Sequence, residues 1–306
     1  MENNQTINLD KRNSFGLSTN VLKIIAMICM VCDHVGYMMQ GYTNYSSAAY
    51  ILRIIGRITY PLIIFTLLIG LEKTHNIRKY LLRLGIASAL IYLSFVLAQY
   101  LFNQDFGYEG NIFLSLFLCA LSYYFLNYSK HKWLVILPIL YFMISFGLMI
   151  PFAYKFFVSR DFILFYLFNG LYCQYSLLTP VLFFGIYLGY KLYDRAIEKR
   201  LNNKALIDSF KESPDYIKSR NATASILIAI ISVICYLITY LPIYEGGFSR
   251  INDCALQSYM MIADLFILFY SGKRGFKNKV TQYSFYVFYP LHLVIIYLIF
   301  WMIFGY

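Results

Sequence analysis

The sequence predicts an all-α protein, a bundle of helices that crosses a membrane several times. Of its 306 residues, 60% are hydrophobic and 13% are charged, whereas soluble domains carry about 25% charged residues. Apolar runs near or above the roughly 18 residues that a transmembrane helix needs recur along the whole chain. No segment between them is long enough for a soluble domain. We therefore expect one membrane domain over residues 1–306, a multi-pass protein of the plasma membrane with the lipid bilayer as a partner.

Hydropathy, with breaks at turn residues and charges, predicts the individual spans. The nine predicted spans lie near residues 20–41, 50–72, 84–102, 112–128, 133–151, 173–193, 222–242, 256–271 and 282–304. The stretch FILFYLFNGLY at 162–172 is too short to cross alone and reads as an interfacial or re-entrant segment. Counted as a crossing, it would give ten spans.

The distribution of basic residues predicts the orientation. Twenty Lys and Arg residues fall in the tails and loops on one side, and only Lys155, Arg160 and Arg250 fall in the loops on the other. Because cytoplasmic loops carry the excess of Lys and Arg, the N-terminus is expected in the cytoplasm. Residues 1–19 then form a cytoplasmic tail, residues 194–221 a cytoplasmic loop, and the C-terminus faces outward.

The remaining compositional features exclude several classes of site. The chain has 26 Lys and Arg against 15 Asp and Glu, but the membrane topology accounts for this excess, so no nucleic-acid partner is expected. The six cysteines are scattered and predict neither a metal site nor a disulfide framework. The sequence has no nucleophile elbow and no glycine-rich phosphate loop, which leaves direct transfer, proton movement or binding.

Ionisable residues at membrane depth are costly, so each is a candidate for function. They are Asp33 and His34 in the first span, Arg53 and Arg57 in the second, Asp264 in the eighth and His292 in the ninth. With about 1.5 Å of rise per residue, His34 and Arg57 lie at similar depth on consecutive antiparallel helices. For Asp264 and His292 we favour a structural or substrate-lining role.

The two arginines of the second span give Asp33 a partner. Arg53 and Arg57 are four residues apart and share one helix face, so Asp33 is expected to pair with one of them. This pair could simply pin two helices together. His34 points about 100° away from Asp33. It could bond across helices, or it could act as a general base, because imidazole titrates near neutrality.

Four segments of the sequence resemble the TraX family of membrane proteins, named for the acetylation of conjugative pilin. They are LKIIAMICMVCDHVGYMM (22–39), LRIIGRITYPLIIFTLLIGLEKTHNIRKYLLRL (52–84), NIFLSLFLCAL (111–121) and YVFYPLHLVIIYLI (286–299), in order along the chain. The chain departs from the family at 172–180, where YCQYSLLTP stands in place of an Asp-Tyr-Gly type motif.

The resemblance implies acyl transfer with acetyl-CoA as the donor. The polar residues of this sequence that match the family's pattern are Asp33, His34, Arg53, Arg57, Asn111, Tyr289 and His292. Depth and resemblance together suggest His34 as the general base, with Asp33 and an arginine as its scaffold. Asn111 or Tyr289 would donate to the developing oxyanion, and no metal is expected.

The donor and acceptor would approach from opposite sides. The phosphates of acetyl-CoA are expected at the cytoplasmic face, on Arg78, Lys79, Arg83, Lys273 and Arg274. The acceptor would come from outside, as the N-terminal amine of a pilin-like protein or a hydroxyl of an envelope glycan or lipid. A transporter or flippase, or a non-catalytic partner in envelope assembly, would also account for buried charges.

Overall fold

The computed structural model describes residues 16–41, 43–102, 110–148, 173–240, 253–276 and 279–304. These residues are almost entirely helical and contain no strand beyond an isolated bridge between Leu17 and Tyr270. The predicted all-α class is confirmed. The re-entrant segment predicted at 162–172 lies outside the described residues.

Twelve α-helices occupy the described part of the chain. In order they are α1 Thr19–Met39, α2 Ser46–Gly56, α3 Thr59–Lys73, α4 Ile77–Phe102, α5 Ile112–Asn127, α6 Ile136–Leu148, α7 Leu178–Leu201, α8 Lys204–Lys211, α9 Pro214–Ile238, α10 Asp253–Gln257, α11 Asp264–Leu268 and α12 Lys279–Phe304. Short 3₁₀ helices lie at Thr43–Tyr45, Lys132–Val135 and Ser258–Ala263.

Four of the described helical units are long and apolar enough to cross a bilayer: α1, α2 with α3, α9, and the Ser284–Phe304 part of α12. In α2 and α3 together, 78% of the most apolar stretch is buried inside the protein, against 22–33% in the other three. The α2–α3 unit is therefore the centre of the bundle, and the others present broad apolar faces outward. This arrangement confirms a polytopic helix bundle, while the count of nine spans stays a prediction.

The predicted second span, 50–72, is interrupted in its middle. The amides of Arg57 and Ile58 bond to the carbonyls three residues back, at 3.1 and 3.2 Å, and α3 starts at Thr59. Pro61 accounts for the break, because it has no N–H for the carbonyl of Arg57 and its ring crowds that carbonyl. The interruption lies at the level of the buried arginines.

Two other predicted segments also differ in the structure. The predicted eighth span, 256–271, is not one helix but the succession of α10, the 3₁₀ helix Ser258–Ala263 and α11. The predicted loop 194–221 is largely helical, since it contains the end of α7, all of α8 and the start of α9. Lys211 Nζ donates to Glu198 Oε1 at 2.9 Å within it, which lowers the pKa of the Glu198 carboxyl.

The start of α1 is fastened to the segment that follows α11. Leu17 N donates to the carbonyl of Phe269 at 2.8 Å, and Thr19 N donates to the carbonyl of Lys273 at 2.9 Å. Ser18 caps the helix by accepting from Val21 N. These bonds place the first turn of α1 beside the chain around Arg274.

Candidate functional site

Asp33, in the second half of α1, faces the interruption between α2 and α3. Arg53 Nη1 donates to Asp33 Oδ1 at 3.0 Å, and Arg57 Nη2 donates to the same oxygen. Arg57 is 2% exposed and also donates to the carbonyl of Arg53 and to the hydroxyl of Tyr175, each at 3.2 Å. The predicted ion pair is confirmed, and the carboxylate binds both arginines rather than one.

Two glycines allow α1 and α2 to approach closely enough for these contacts. A Cβ on Gly56 would lie 2.3 Å from the Cβ of Asp33, and a Cβ on Gly36 would lie 2.8 Å from the carbonyl oxygen of Ala49. Both distances are too short for any side chain. Small residues at this crossing therefore bring the arginines within hydrogen-bonding reach of Asp33.

His34 and His292 form a hydrogen-bonded pair between α1 and α12. His34 Nδ1 lies 2.9 Å from His292 Nε2, and His292 Nδ1 lies 2.8 Å from the carbonyl oxygen of Phe288. A carbonyl only accepts, so the hydrogen-bond network assigns an Nδ1–H to His292 and leaves its Nε2 as an acceptor. His34 then donates through Nδ1–H and carries its lone pair on Nε2. His34 is thereby held in the tautomer that can accept a proton at Nε2.

Asp33, Arg53 and Arg57 form an ion triad, and two of its members, Asp33 and Arg57, line a small chamber together with His34. Its polar lining includes Asp33, His34, Arg57, Gln174, Tyr175 and Gln257. Tyr175 adopts a left-handed backbone conformation with φ of 53°, and its ring lies 4.5 Å from that of Tyr60. The segment YCQYSLLTP, which lacks the family's acidic motif, thus still supplies two polar side chains to this chamber.

A larger cavity, of about 250 Å³, adjoins the chamber. The two share the lining residues Met30, Ile63, Ile112 and Tyr289. The walls of the larger cavity are mostly apolar, and four cationic residues also line it: Lys23, Lys73, Arg83 and Arg274. We call these four residues the cationic rim.

The cationic rim has little negative charge to balance it. Lys23 experiences the charges of both Arg83 and Arg274, and its ammonium lies 5.0 Å from the centre of the Phe285 ring. Within the described residues, no carboxylate pairs with these three cations, and the buried Nε of Arg83 has no hydrogen-bond partner. Lys73 differs, because it bonds to the Tyr270 hydroxyl at 3.1 Å and to the carbonyl of Gly272. Converging cations of this kind suit an anionic ligand.

Several residues proposed from the sequence line neither of the two cavities. Asn111 is fully buried, but it caps α5 through Leu114 N and donates to the carbonyl of Ser88 at 2.9 Å, so its amide is used structurally. Of the five residues expected to hold phosphates, Arg83 and Arg274 line the larger cavity, whereas Arg78, Lys79 and Lys273 do not. Among the described residues, no group of three His, Cys, Asp or Glu could hold a metal ion.

Sequence reasoning missed Lys23, Lys73 and Gln257 as site residues. Lys23 and Lys73 carry a usable signal, because each stands at an end of a predicted span that the distribution of Lys and Arg places on the cytoplasmic side. Gln257 carries none, since a glutamine beside a span is ordinary until its burial is known. His34 and His292 were each predicted as candidate site residues, but nothing in the sequence predicts a contact between residues that are 258 positions apart.

Comparisons with known proteins show what the chain is similar to. The family model described as TraX protein matches residues 18–183. The chain is 25% identical over 284 residues to the probable fimbrial assembly protein FimC, serogroup H1, of Dichelobacter nodosus, a match that covers 90% of this chain and 92% of that protein. No solved structure matches the chain.

Proposed function

Because the chain belongs to the TraX family, we propose that it is a membrane-embedded acyltransferase that moves an acetyl group from cytoplasmic acetyl-CoA to an acceptor at the outer side of the membrane. One observation carries this proposal. The cavity with the cationic rim adjoins the chamber that holds His34, and Tyr289 lines both. A donor anchored by its phosphates could therefore place its acetyl group at the junction with the chamber.

The residues of the larger cavity fit such a donor. Lys23, Arg83 and Arg274 supply the positive charge that phosphate groups require. The mostly apolar wall between the rim and Tyr289 suits a flexible arm with few charges. Lys73, fixed by Tyr270, borders the same cavity. This set replaces the sequence-based group in which Arg78, Lys79 and Lys273 were included.

In the proposed reaction His34 is the general base. Its Nε2 takes a proton from the acceptor amine or hydroxyl as that atom bonds to the acetyl carbonyl carbon. The thioester C–S bond then breaks, and the sulfur leaves as a thiolate that takes the proton back from His34. His292 is a positioning residue, since it fixes the tautomer of His34 through Nδ1.

Charge that develops on the carbonyl oxygen needs a hydrogen-bond donor. We assign this role to the hydroxyl of Tyr289, which lines both cavities, with Arg57 bordering the chamber as a second, positively charged donor. Asp33 and Arg53 hold Arg57 in place. Asn111 is not needed in this scheme.

A pilin-like protein is the acceptor that we favour. The family takes its name from the acetylation of conjugative pilin, and the Dichelobacter nodosus relative is called a probable fimbrial assembly protein. An envelope glycan or lipid hydroxyl is the alternative acceptor. In either case the protein would reside in the plasma membrane, with the donor in the cytoplasm and the acceptor outside.

The first test is release of coenzyme A from acetyl-CoA by the purified protein in nanodiscs, with and without amine and sugar acceptors. We expect acceptor-dependent release that falls by about 10²- to 10⁴-fold in His34→Gln. His292→Leu should retain more activity and change the pH profile, because it alters the tautomer of the base rather than removing it. Full activity in His34→Gln would remove the central claim. If the protein neither releases coenzyme A nor binds acetyl-CoA, the transporter would become the favoured function.

The cationic rim provides a second test with a matched pair of lysines. Lys23→Gln should weaken acetyl-CoA binding by about ten-fold or more, as expected for the loss of a charged hydrogen bond. Lys79→Gln removes the same charge from an exposed position outside the cavity and should leave the Kd unchanged. Calorimetry at two salt concentrations would measure both. Equal losses of acetyl-CoA affinity in the two variants would mean that binding depends only on the overall positive charge of this side of the protein.

A further inference from the structure

Gln257 is a buried polar residue for which the scheme above gives no role. It ends α10 and leads into the 3₁₀ helix Ser258–Ala263, which packs against α3 and α9. Its side chain is 5% exposed and lines the chamber that contains His34. The carboxamide therefore lies beside the proposed reaction centre.

Neither end of this carboxamide is satisfied by the described part of the chain. Among the residues that the structure describes, neither Nε2 nor Oε1 of Gln257 has a hydrogen-bond partner. Other polar groups of the chamber are engaged, as Arg57 is with Tyr175 and Tyr60 with Thr179. A buried donor and acceptor without partners destabilise a fold, and an apolar side chain of similar volume would pack there without that loss. An amide at this position becomes favourable once a ligand completes its hydrogen bonds.

The location of Gln257 indicates which ligand this is. Gln257 lines the chamber but not the cavity with the cationic rim, through which the donor would enter. It therefore lies on the acceptor's side of the junction. A carboxamide offers two N–H donors and one carbonyl acceptor. The backbone peptide group, with one N–H and one C=O, complements it without any charge.

We propose that Gln257 is an acceptor-binding residue whose carboxamide pairs with the first peptide bond of a protein acceptor, next to the amine that is acetylated. This inference rests on the proposed function, since it takes the chamber to be the site of transfer. It adds the means by which the acceptor amine is held near His34. It also favours a peptide over a glycan as the acceptor.

Direct binding to the protein in nanodiscs, without any donor, tests this assignment. The probe is a tetrapeptide with a free amino terminus, compared with the same peptide whose first peptide bond is replaced by an ester, which lacks the N–H. Wild type should bind the ester peptide about ten-fold more weakly. Gln257→Leu should bind the amide peptide about ten-fold more weakly and should no longer distinguish the two peptides.

The stability of the variant provides an independent readout. Gln257→Leu removes a buried amide that lacks partners, so its Tm without ligand should equal or exceed that of wild type. Ser225→Ala is the matched control, because Ser225 is buried on α9, which packs against the same 3₁₀ helix, and lies outside the chamber lining. It should bind both peptides as wild type does. Gln257→Met serves as a second variant where leucine prevents folding.

The outcomes separate this inference from the acyltransferase proposal. Equal binding of the two peptides by wild type, unchanged peptide binding in both Gln257 variants, or tighter binding of a methyl glycoside than of the peptide would overturn the role of Gln257. Acetyl-CoA binding and acceptor-dependent release of coenzyme A are measured separately. If wild type shows neither of them, the proposed function is overturned, whatever the result of the peptide-binding measurements.

Discussion

At the scale of single residues, the carboxylate of Asp33 holds the central charges in place. A buried ion pair stabilises a fold little more than well-packed apolar side chains would. The loss of one partner is nevertheless costly, because it leaves the other charge buried and uncompensated. Here one carboxylate serves two arginines, and Arg57 is almost fully buried. The triad is therefore more sensitive to the loss of Asp33 than a simple pair would be.

Replacing Asp33 by Asn should destabilise the protein by about 3–5 kcal/mol, because both arginines lose their common counter-charge. Thermal unfolding in nanodiscs would measure the loss. The control is Asp215→Asn, which removes the partner of Lys218 from an exposed ion pair and should cost about 1 kcal/mol or less. Similar losses in the two variants would contradict a special role of the buried triad.

The pairing of Asp33 also marks how far single residues could be predicted. Helical spacing placed Arg53 and Arg57 on one face opposite Asp33, and this part is confirmed. Spacing could not reveal that both arginines reach the same oxygen, because that depends on Gly36 and Gly56 bringing the backbones together. It could not reveal the partner of His34 either, since tertiary packing alone joins α1 to α12.

At the scale of elements, the interruption between α2 and α3 creates the geometry of the site. Arg57 N bonds to the carbonyl of Ile54, so the carbonyl of Arg53 does not receive the usual helical bond and instead accepts from Arg57 Nε. Hydropathy treated 50–72 as one span, because an interruption of two residues leaves the apolar run unchanged. Pro61 was the signal, since a proline removes the bond that would have continued the helix.

Gly56→Ala should destabilise the crossing of α1 and α2 by about 1–3 kcal/mol, the usual cost of overpacking. The new methyl group would overlap Asp33 and move it away from its arginines. Gly147→Ala in α6 is the control, because a Cβ there meets no atom within 4 Å. Since alanine is the better helix former by about 1 kcal/mol, that variant should be neutral or slightly stabilised. Thermal unfolding compares them, and an unchanged Tm in Gly56→Ala would argue against a close crossing.

At the scale of the whole molecule, composition predicted the class of protein and the structure placed its cavities. The long apolar runs are enough to predict a helix bundle, because only helices and closed barrels satisfy their backbone in lipid and the strands of barrels are only about 9–11 residues long. The cavity with the cationic rim was predicted only in part. Lys23, Arg83 and Arg274 come from three distant segments, and the bonds that fasten the start of α1 beside Lys273 bring the first and last of them together.

The proposed transfer across the membrane requires the orientation that the basic residues predict. Two exposed residues in short connections allow it to be measured: Asn44, in the 3₁₀ helix between α1 and α2, and Glu212, between α8 and α9. In a background without the six native cysteines, each is replaced by Cys and treated with a membrane-impermeant maleimide on intact cells. Asn44→Cys should react at once, and Glu212→Cys only after lysis, because the loops rich in Lys and Arg remain in the cytoplasm.

The reversed labelling pattern would place the cationic rim on the outer side, where acetyl-CoA does not reach it. The proposed direction of transfer would then be untenable, even with every residue of the chamber unchanged. Reaction of both cysteines on intact cells, with a cytoplasmic protein left unlabelled as the control for leakage, would indicate a mixed orientation. The side on which Glu212 lies thus decides whether the two adjoining cavities can connect a cytoplasmic donor to an outer acceptor.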